Sequence, residues 1–352
     1  MSKNLANPPR HILVVRTDRI GDVLLTLPTV SALRSTFPNS SVSFLARSYT
    51  ADLVEGFDGV TNVVRCDEQG AEKSVFTLAR ELRKLSIDAA VVAYPRPNIA
   101  LALWLVRISI RIGTGYRWYS FLFNRRVYEH RKTVEKHESQ YNLSLLRPLG
   151  IEVKEPEFPR LVVAQAEKQS AREMWNQLGL RSQKPLAILH PGSRGSARDW
   201  NVERFVELAL ELRNRYFQVV MTGGTGEEAL VKEAAQRANA ISVAGSMSLK
   251  QLAAFIQTAS VFVSNSTGPL HIAAAVGVPV VGFFPPVPVM SAKRWGPLTN
   301  RKQIFVPSTE KCEVCKGGPC RSNMCMNQIQ VQEVAEAVEI LVAEYKGAVH
   351  AS

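Results

Sequence analysis

Short runs of β-branched and apolar residues, each followed by a polar loop and then by a helical repeat, recur along this chain. No other feature restricts its fold as much. In the first half the runs are HILVV at 11–15, VSFLA at 42–46, VTNVVR at 60–65 and DAAVVA at 88–93. In the second half they are LAIL at 186–189, FQVVMT at 217–222, ISV at 241–243, VFV at 261–263 and VPVVGF at 278–283. Strands joined through helices pair in parallel, take helices on both faces and carry function at their carboxyl ends. The spacing predicts a helix over 22–37, where Val23, Leu24, Leu27, Val30, Leu33 and Phe37 share a face and Pro38 ends the run. Further helices are expected at 137–149, at 166–178, after Asn201 as a cap, and at 332–345. The fold class is α/β, with two doubly wound, Rossmann-like domains. They are placed at 1–165 and 166–330, with a C-terminal helix and tail at 331–352.

A length of 352 residues suits two domains of ~150 residues each. With 46% apolar and 21% charged residues the chain reads as soluble and globular. The formal charge of +12 asks for an anionic partner: a phosphorylated substrate, an acidic membrane surface or nucleic acid. No apolar run reaches the ~18 residues of a membrane span. Arg16, Asp18, Arg19 and Asp22 interrupt any signal-peptide core, so a cytoplasmic protein is expected.

Four stretches carry candidate chemistry. The segment SVFVSNSTGPLHIAAAVG at 260–277 reads as strand, turn and helix, with Pro269 in the first helical turn and Gly268 open to close approach. Its free N–H groups and positive dipole end suit a phosphate, although an ordinary capped helix has the same pattern. Residues 94–132 interleave Arg96, Arg107, Arg111, Arg117, Arg125, Arg126, Arg131 and Lys132 with Trp104, Tyr116, Trp118, Tyr119, Phe121, Phe123 and Tyr128. No nucleic-acid motif is present, and a membrane-facing or anionic-lipid surface fits this stretch better; a solvated face over a core is the plainer alternative. GTGEEA at 224–229 has the spacing of a dinucleotide fingerprint, but no acid follows the next strand at 241–243, so NAD binding is discounted. Cys312, Cys315, Cys320 and Cys325 crowd together and read either as a structural zinc site or as thiols, free or in disulfides.

HILVVRTDRIGDVLLTLPTVSALRSTFP at 11–38 closely resembles the opening of the heptosyltransferase family, glycosyltransferase family 9. HESQYNLSLLRPLG, HPGSRGSARDW, GGTGEE and SNSTGPLHIAAAVGVPVVGFF resemble its later motifs, in the same order. The resemblance implies the GT-B fold, with the donor nucleotide on the second domain, the acceptor on the first and the chemistry in an interdomain cleft. It implies transfer of a heptose or related sugar from an ADP-sugar to a lipopolysaccharide-core acceptor, peripheral to the inner membrane. An epimerase or hydrolase of the same fold and a non-catalytic sugar-nucleotide binder are the other functions considered. Family members commonly carry an aspartate where this chain has Ser266, which can still cap the helix; that departure bears on the sugar more than on the reaction.

Transfer needs a base for the acceptor hydroxyl and stabilisation of the leaving diphosphate. The chain has no Asp-x-Asp, so cationic groups and N–H donors are expected to replace a metal, and no cofactor is required for the chemistry. Asp22 matches the family's base, and a single carboxylate suits inversion; a carboxylate at a helix start otherwise only complements the dipole. Arg198 matches the basic position of the family's loop, the alternative being a surface cation. Ser193, Ser266, Thr267, Gly268 and His271 fall on the donor side. Glu227, preferred over Glu228, is expected to take the ribose hydroxyls. Arg19, unless it pairs with Asp18, and Arg117, Arg125 and Arg126 are the expected acceptor contacts.

Overall fold

The computed structural model describes residues 8–193, 195, 198–308 and 325–350. The chain divides into two compact units, Met1–Val162 and Val163–Ser352.

In the first unit β1 (His11–Val15) is followed by two short helices, α1 (Ile20–Leu24) and α2 (Leu27–Thr36), and then by β2 (Ser41–Ala46). The continuous helix expected over 22–37 is therefore broken at Leu25 and Thr26. Pro28 stands in the first turn of α2 and has no N–H for the carbonyl a turn earlier, so the ladder cannot run through. Next come α3 (Ser48–Glu55), β3 (Asn62–Arg65), a small hairpin of β4 (Asp67–Glu68) and β5 (Ala71–Glu72), and α4 (Val75–Arg83). β6 (Ala89–Val92), α5 (Pro97–Leu105), β7 (Ile110–Thr114) and β8 (Arg125–Val127) complete the sheet. α6 (Glu138–Leu143) closes the unit; the helix expected over 137–149 tightens into a 3-10 turn at Ser144–Leu149, which contains Pro148.

The second unit begins with α7 (Gln165–Gln177) and β9 (Leu186–His190), then α8 (Val202–Asn214), β10 (Gln218–Met221), α9 (Glu228–Arg237) and β11 (Ile241–Ser242). α10 (Leu249–Gln257), β12 (Val261–Asn265), α11 (Gly268–Ala275), β13 (Val280–Phe283), α12 (Ala292–Trp295), β14 (Lys302–Phe305) and α13 (Val331–His350) follow. α13 contributes Val331, Val334, Ala335, Val338 and Val342 to this unit's core.

The two main sheets share one plan. Their orders are β3-β2-β1-β6-β7-β8 and β11-β10-β9-β12-β13-β14, and every pairing within them is parallel. Helices cover both faces, so the central strands are apolar throughout: Ile12 to Val15 and Ala187 to Leu189 are wholly buried. Each such Leu, Ile or Val side chain contributes roughly 1.5–3 kcal/mol by leaving water. In both sheets the strand order reverses beside the first strand, between β1 and β6 and between β9 and β12. The crevice at the carboxyl ends of those strands is the ligand position in folds of this kind.

Candidate active site

In the first unit the crevice holds a buried charge network. β1 runs directly into Arg16, whose side chain is 3% exposed. Its Nε donates to Asp18 Oδ1 at 2.7 Å, its Nη2 pairs with Asp22 Oδ1, and its Nη1 reaches Glu138 Oε1 and Asn142 Oδ1, each at 3.2 Å. Arg131 holds the same two groups on α6, pairing with Glu138 Oε1 and donating to Asn142 Oδ1 at 3.2 Å. Asn142 Nδ2 donates to the Leu25 carbonyl and to Thr26 Oγ1, so α6 also satisfies the break between α1 and α2. Tyr49 on α3 donates its hydroxyl to the Asp18 carbonyl at 2.7 Å.

Burial opposes the charge on Arg16, but Asp18, Asp22 and Glu138 outweigh it and hold the guanidinium above its ordinary range. Burial pushes the Asp22 carboxyl up to about 6 against the pull of Arg16, and Asp18 and Glu138 add to the rise. Arg16 is divided among three carboxylates and does not offset the burial. Asp22 is therefore a carboxylate at a strand tip, its side chain 16% exposed, with a proton affinity close to neutrality. It lies within the first turn of α1 and does not open that helix, whose N-cap position is Arg19. Arg19 is exposed, and the carboxylate of Asp18 pairs with Arg16 rather than with Arg19.

In the second unit the loop at 191–200 is pinned by an amide. Asn265, buried at the end of β12, accepts the Trp200 N–H at 2.8 Å and donates to the Pro191 carbonyl at 2.8 Å. Trp200 stacks on Phe283 with ring centroids 4.3 Å apart, and its Nε1 donates to the Ile329 carbonyl at 3.2 Å. At the root of the loop His190 is buried, with Nδ1 2.9 Å from Thr222 Oγ1. Within the loop Ser193 donates to Asp199 Oδ2 at 2.8 Å. The other oxygen of Asp199 is buried without a hydrogen-bond partner among the described residues. Burial pushes Asp199 up to about 6; the Ser193 hydroxyl opposes the rise and Glu227 adds to it.

Glu227 and Glu228 face different neighbours. A Cβ at Gly192 would lie 2.1 Å from Glu227 Oε1, so the loop passes directly against this carboxylate and a larger residue there would displace it. A Cβ at Gly245 would lie 2.7 Å from the Glu228 side chain. Glu227 Oε2 also accepts the Gly224 N–H at 2.8 Å, which fixes its rotamer. Arg198 is half-buried in the same loop. The α11 turn differs from expectation: Thr267, not Ser266, occupies the N-cap position, and its side chain makes no cap. Ser264 Oγ bonds Thr267 Oγ1 at 2.8 Å and draws that hydroxyl inward, away from the helix amides. Ser266 and Gly268 remain half-buried and His271 is buried within α11.

Arg117, Arg125 and Arg126 are exposed, among Trp118 at 80% and Phe121 at 65% exposure. Cys312, Cys315 and Cys320 lie outside the described residues, and Cys325 is buried in the second unit's core. Among the described residues no group of three His, Cys, Asp or Glu side chains is placed to hold a metal ion.

Sequence reasoning left Arg16, Glu138, Asn142, Asp199, Trp200 and Asn265 without a role in the site. Glu138 and Asn142 had a usable signal, since their four-residue spacing within HESQYN puts both on one helical face.

Comparison with known proteins identifies the family and the fold. The sequence profile of Glycosyltransferase family 9 (heptosyltransferase) matches residues 75–325. A Haemophilus influenzae protein named no further than as a glycosyltransferase is 28% identical over 298 residues, covering 82% of this chain and 86% of its own. Lipopolysaccharide heptosyltransferase 2 of Salmonella typhimurium is 25% identical over 352 residues, covering 95% and 99%. The structure of the E. coli ADP-heptose lipopolysaccharide heptosyltransferase II superimposes with a TM-score of 0.77 at 22% identity, over 96% of this chain and 99% of that one. The paired parallel sheets are thus those of the GT-B fold.

Proposed function

The chain belongs to glycosyltransferase family 9, the heptosyltransferases, and from that premise we propose that this glycosyltransferase moves a heptose from ADP-heptose to a lipopolysaccharide-core acceptor, with inversion. The observation that carries the proposal is Asp22: a carboxylate at the strand-order reversal whose proton affinity is raised by burial to about 6. At neutral pH it is ionised yet basic enough to take a hydroxyl proton. The acceptor oxygen then bonds the anomeric carbon from the face opposite ADP, and the sugar–phosphate bond breaks with its electron pair passing to the diphosphate.

The second unit receives that charge. Arg198, the Ser193 hydroxyl and the amides at Ser266, Thr267 and Gly268 stabilise the leaving group, with His271 behind them in α11. Glu227 takes the ribose hydroxyls, which its place against Gly192 supports. Arg19, Arg117, Arg125 and Arg126 meet an anionic amphiphilic acceptor, and the exposed Trp118 and Phe121 beside them favour a peripheral contact with an anionic membrane surface. No helix among the described residues is long and apolar enough to cross a membrane. The four cysteines are proposed as ligands of a structural zinc outside the chemistry, and elemental analysis of reduced protein tests this.

The test of function is a calorimetric panel of ADP-, UDP-, GDP- and CDP-sugars, followed by transfer assays and determination of the product's anomeric configuration. ADP-heptose should bind and transfer with inversion. Neutralising Arg117, Arg125 and Arg126 together should raise the acceptor KM at low salt and leave donor affinity unchanged. Free sugar released without acceptor indicates a hydrolase or epimerase, and binding without turnover a non-catalytic protein; either result overturns the reading.

A further inference from the structure

The network behind Asp22 extends further than a base requires. Around Arg16 stand the carboxylates of Asp18, Asp22 and Glu138, and the Arg131 guanidinium is bonded to this cluster through Glu138. With every group ionised, these five carry one more negative charge than positive, and a proton arriving on Asp22 balances them. Glu138 is buried between the two arginines, and Asn142, one turn along α6, accepts from both. Asn142 is itself fixed by its bonds to Leu25 and Thr26. α6 thus holds Arg16 through Nη1, while Asp22 pairs with Nη2. Tyr49, raised to about 12 by burial, stays neutral beside Asp18; Arg47 and Arg19 are its cationic neighbours.

We propose that Glu138, aided by Asn142, is a positioning residue for transfer: it draws off part of the Arg16 guanidinium, so that Asp22 is held in place by Arg16 without being neutralised as a base. Arg131 acts in the opposite sense. By engaging Glu138 from the outer side it limits how strongly Glu138 competes for Arg16. The motif HESQYN, 122 residues downstream of Arg16, thereby gains a role that its sequence did not disclose. The inference rests on Asp22 being the base.

The test is the pH dependence of kcat at saturating substrates for E138Q and R131Q, beside D22N. Glu138→Gln removes a negative neighbour and frees Arg16 for Asp22, so the acid limb should move down by about 0.5 pH unit or more, and plateau kcat should fall with KM little changed. Arg131→Gln should move the limb up by a smaller amount. Arg131 is partly exposed, so R131Q remains informative if E138Q fails to fold. Unmoved limbs in the folded variants, with D22N inactive, would mean that α6 merely supports the fold, and the proposal fails. Full turnover in D22N removes the base itself, and this proposal falls with it.

Discussion

In both units the chain leaves the first strand of the sheet into a loop at the point where the strand order reverses, yet the two loops are anchored by different chemistry. After β1 the anchor is Arg16, divided among Asp18, Asp22 and Glu138. After β9 it is the Asn265 amide, set between the Pro191 carbonyl and the Trp200 N–H, with Trp200 stacked on Phe283. An ion-pair cluster can give and take protons, which suits the base proposed at Asp22. An amide has no protonation state to change near neutrality and keeps its geometry as a diphosphate gains charge. One strand order thus supports a loop whose anchor titrates and a loop whose anchor does not, and the difference lies in a handful of side chains at the strand tips.

The largest effect expected from breaking this contrast comes from Asp22→Asn. The amide keeps the shape and removes the base, so kcat should fall at least ~100-fold. Tm at neutral pH should not fall, because burial raises the folded carboxyl to about 6, so the ionised form that the amide replaces adds no net stability. Full activity in this variant would falsify the catalytic assignment.

Next in size is Arg198→Ala. Loss of one charged contact to the leaving group costs ~2–4 kcal/mol, or roughly 30- to 1000-fold in kcat/KM. Near-normal kinetics would make Arg198 a surface cation and leave the diphosphate to the α11 amides.

The pH profile sharpens the comparison without a mutation. Asp22 is raised to about 6, so its ionised form is both the active one and the less stable one. kcat should climb as pH rises through about 6. The stability due to protonated Asp22 is complete below the unfolded carboxylate value of ~3.9 and is lost as pH rises through the folded value. Asp199, also raised to about 6, places a new negative charge within the 191–200 loop over the same interval. ADP affinity by calorimetry should therefore weaken by a few-fold as kcat rises. A flat ADP affinity would show that Asp199 lies too far from the diphosphate to act on it.

The smallest effect belongs to Asn265→Ala. It strands a buried N–H and a buried carbonyl, costing about 1–3 kcal/mol, read as a lower Tm. Donor KM should rise several-fold while the acid limb of kcat stays in place, since no titrating group is touched. A displaced limb would mean that the two anchors are coupled.

The strands were readable because parallel strands buried on both faces leave uninterrupted apolar runs, as at 11–15 and 261–263. The break at Leu25 was harder to read: Pro28 is tolerated in a first helical turn, and nothing local says that a turn begins there. Asn265 passed as a turn residue because an amide after VFVS has that appearance, and its partners lie 65 and 74 residues away. Asp22 and Arg198 were singled out through motif resemblance. Glu138 escaped because its two cationic partners, Arg16 and Arg131, come together only in the folded unit.

Trp200 carries one further consequence, which concerns the order in which the protein is made. Its indole N–H is bonded to the carbonyl of Ile329, and the core around it takes in Met326, Val334 and Val338. A ribosome that has completed β9 to β14 has therefore not yet made the residues that close this core. The first unit, whose strands and closing helix all precede residue 163, meets no such wait and can fold during synthesis. The nascent second unit keeps a large indole and its neighbours without their final cover until α13 emerges, and over that interval it is the part of the chain most in need of a chaperone.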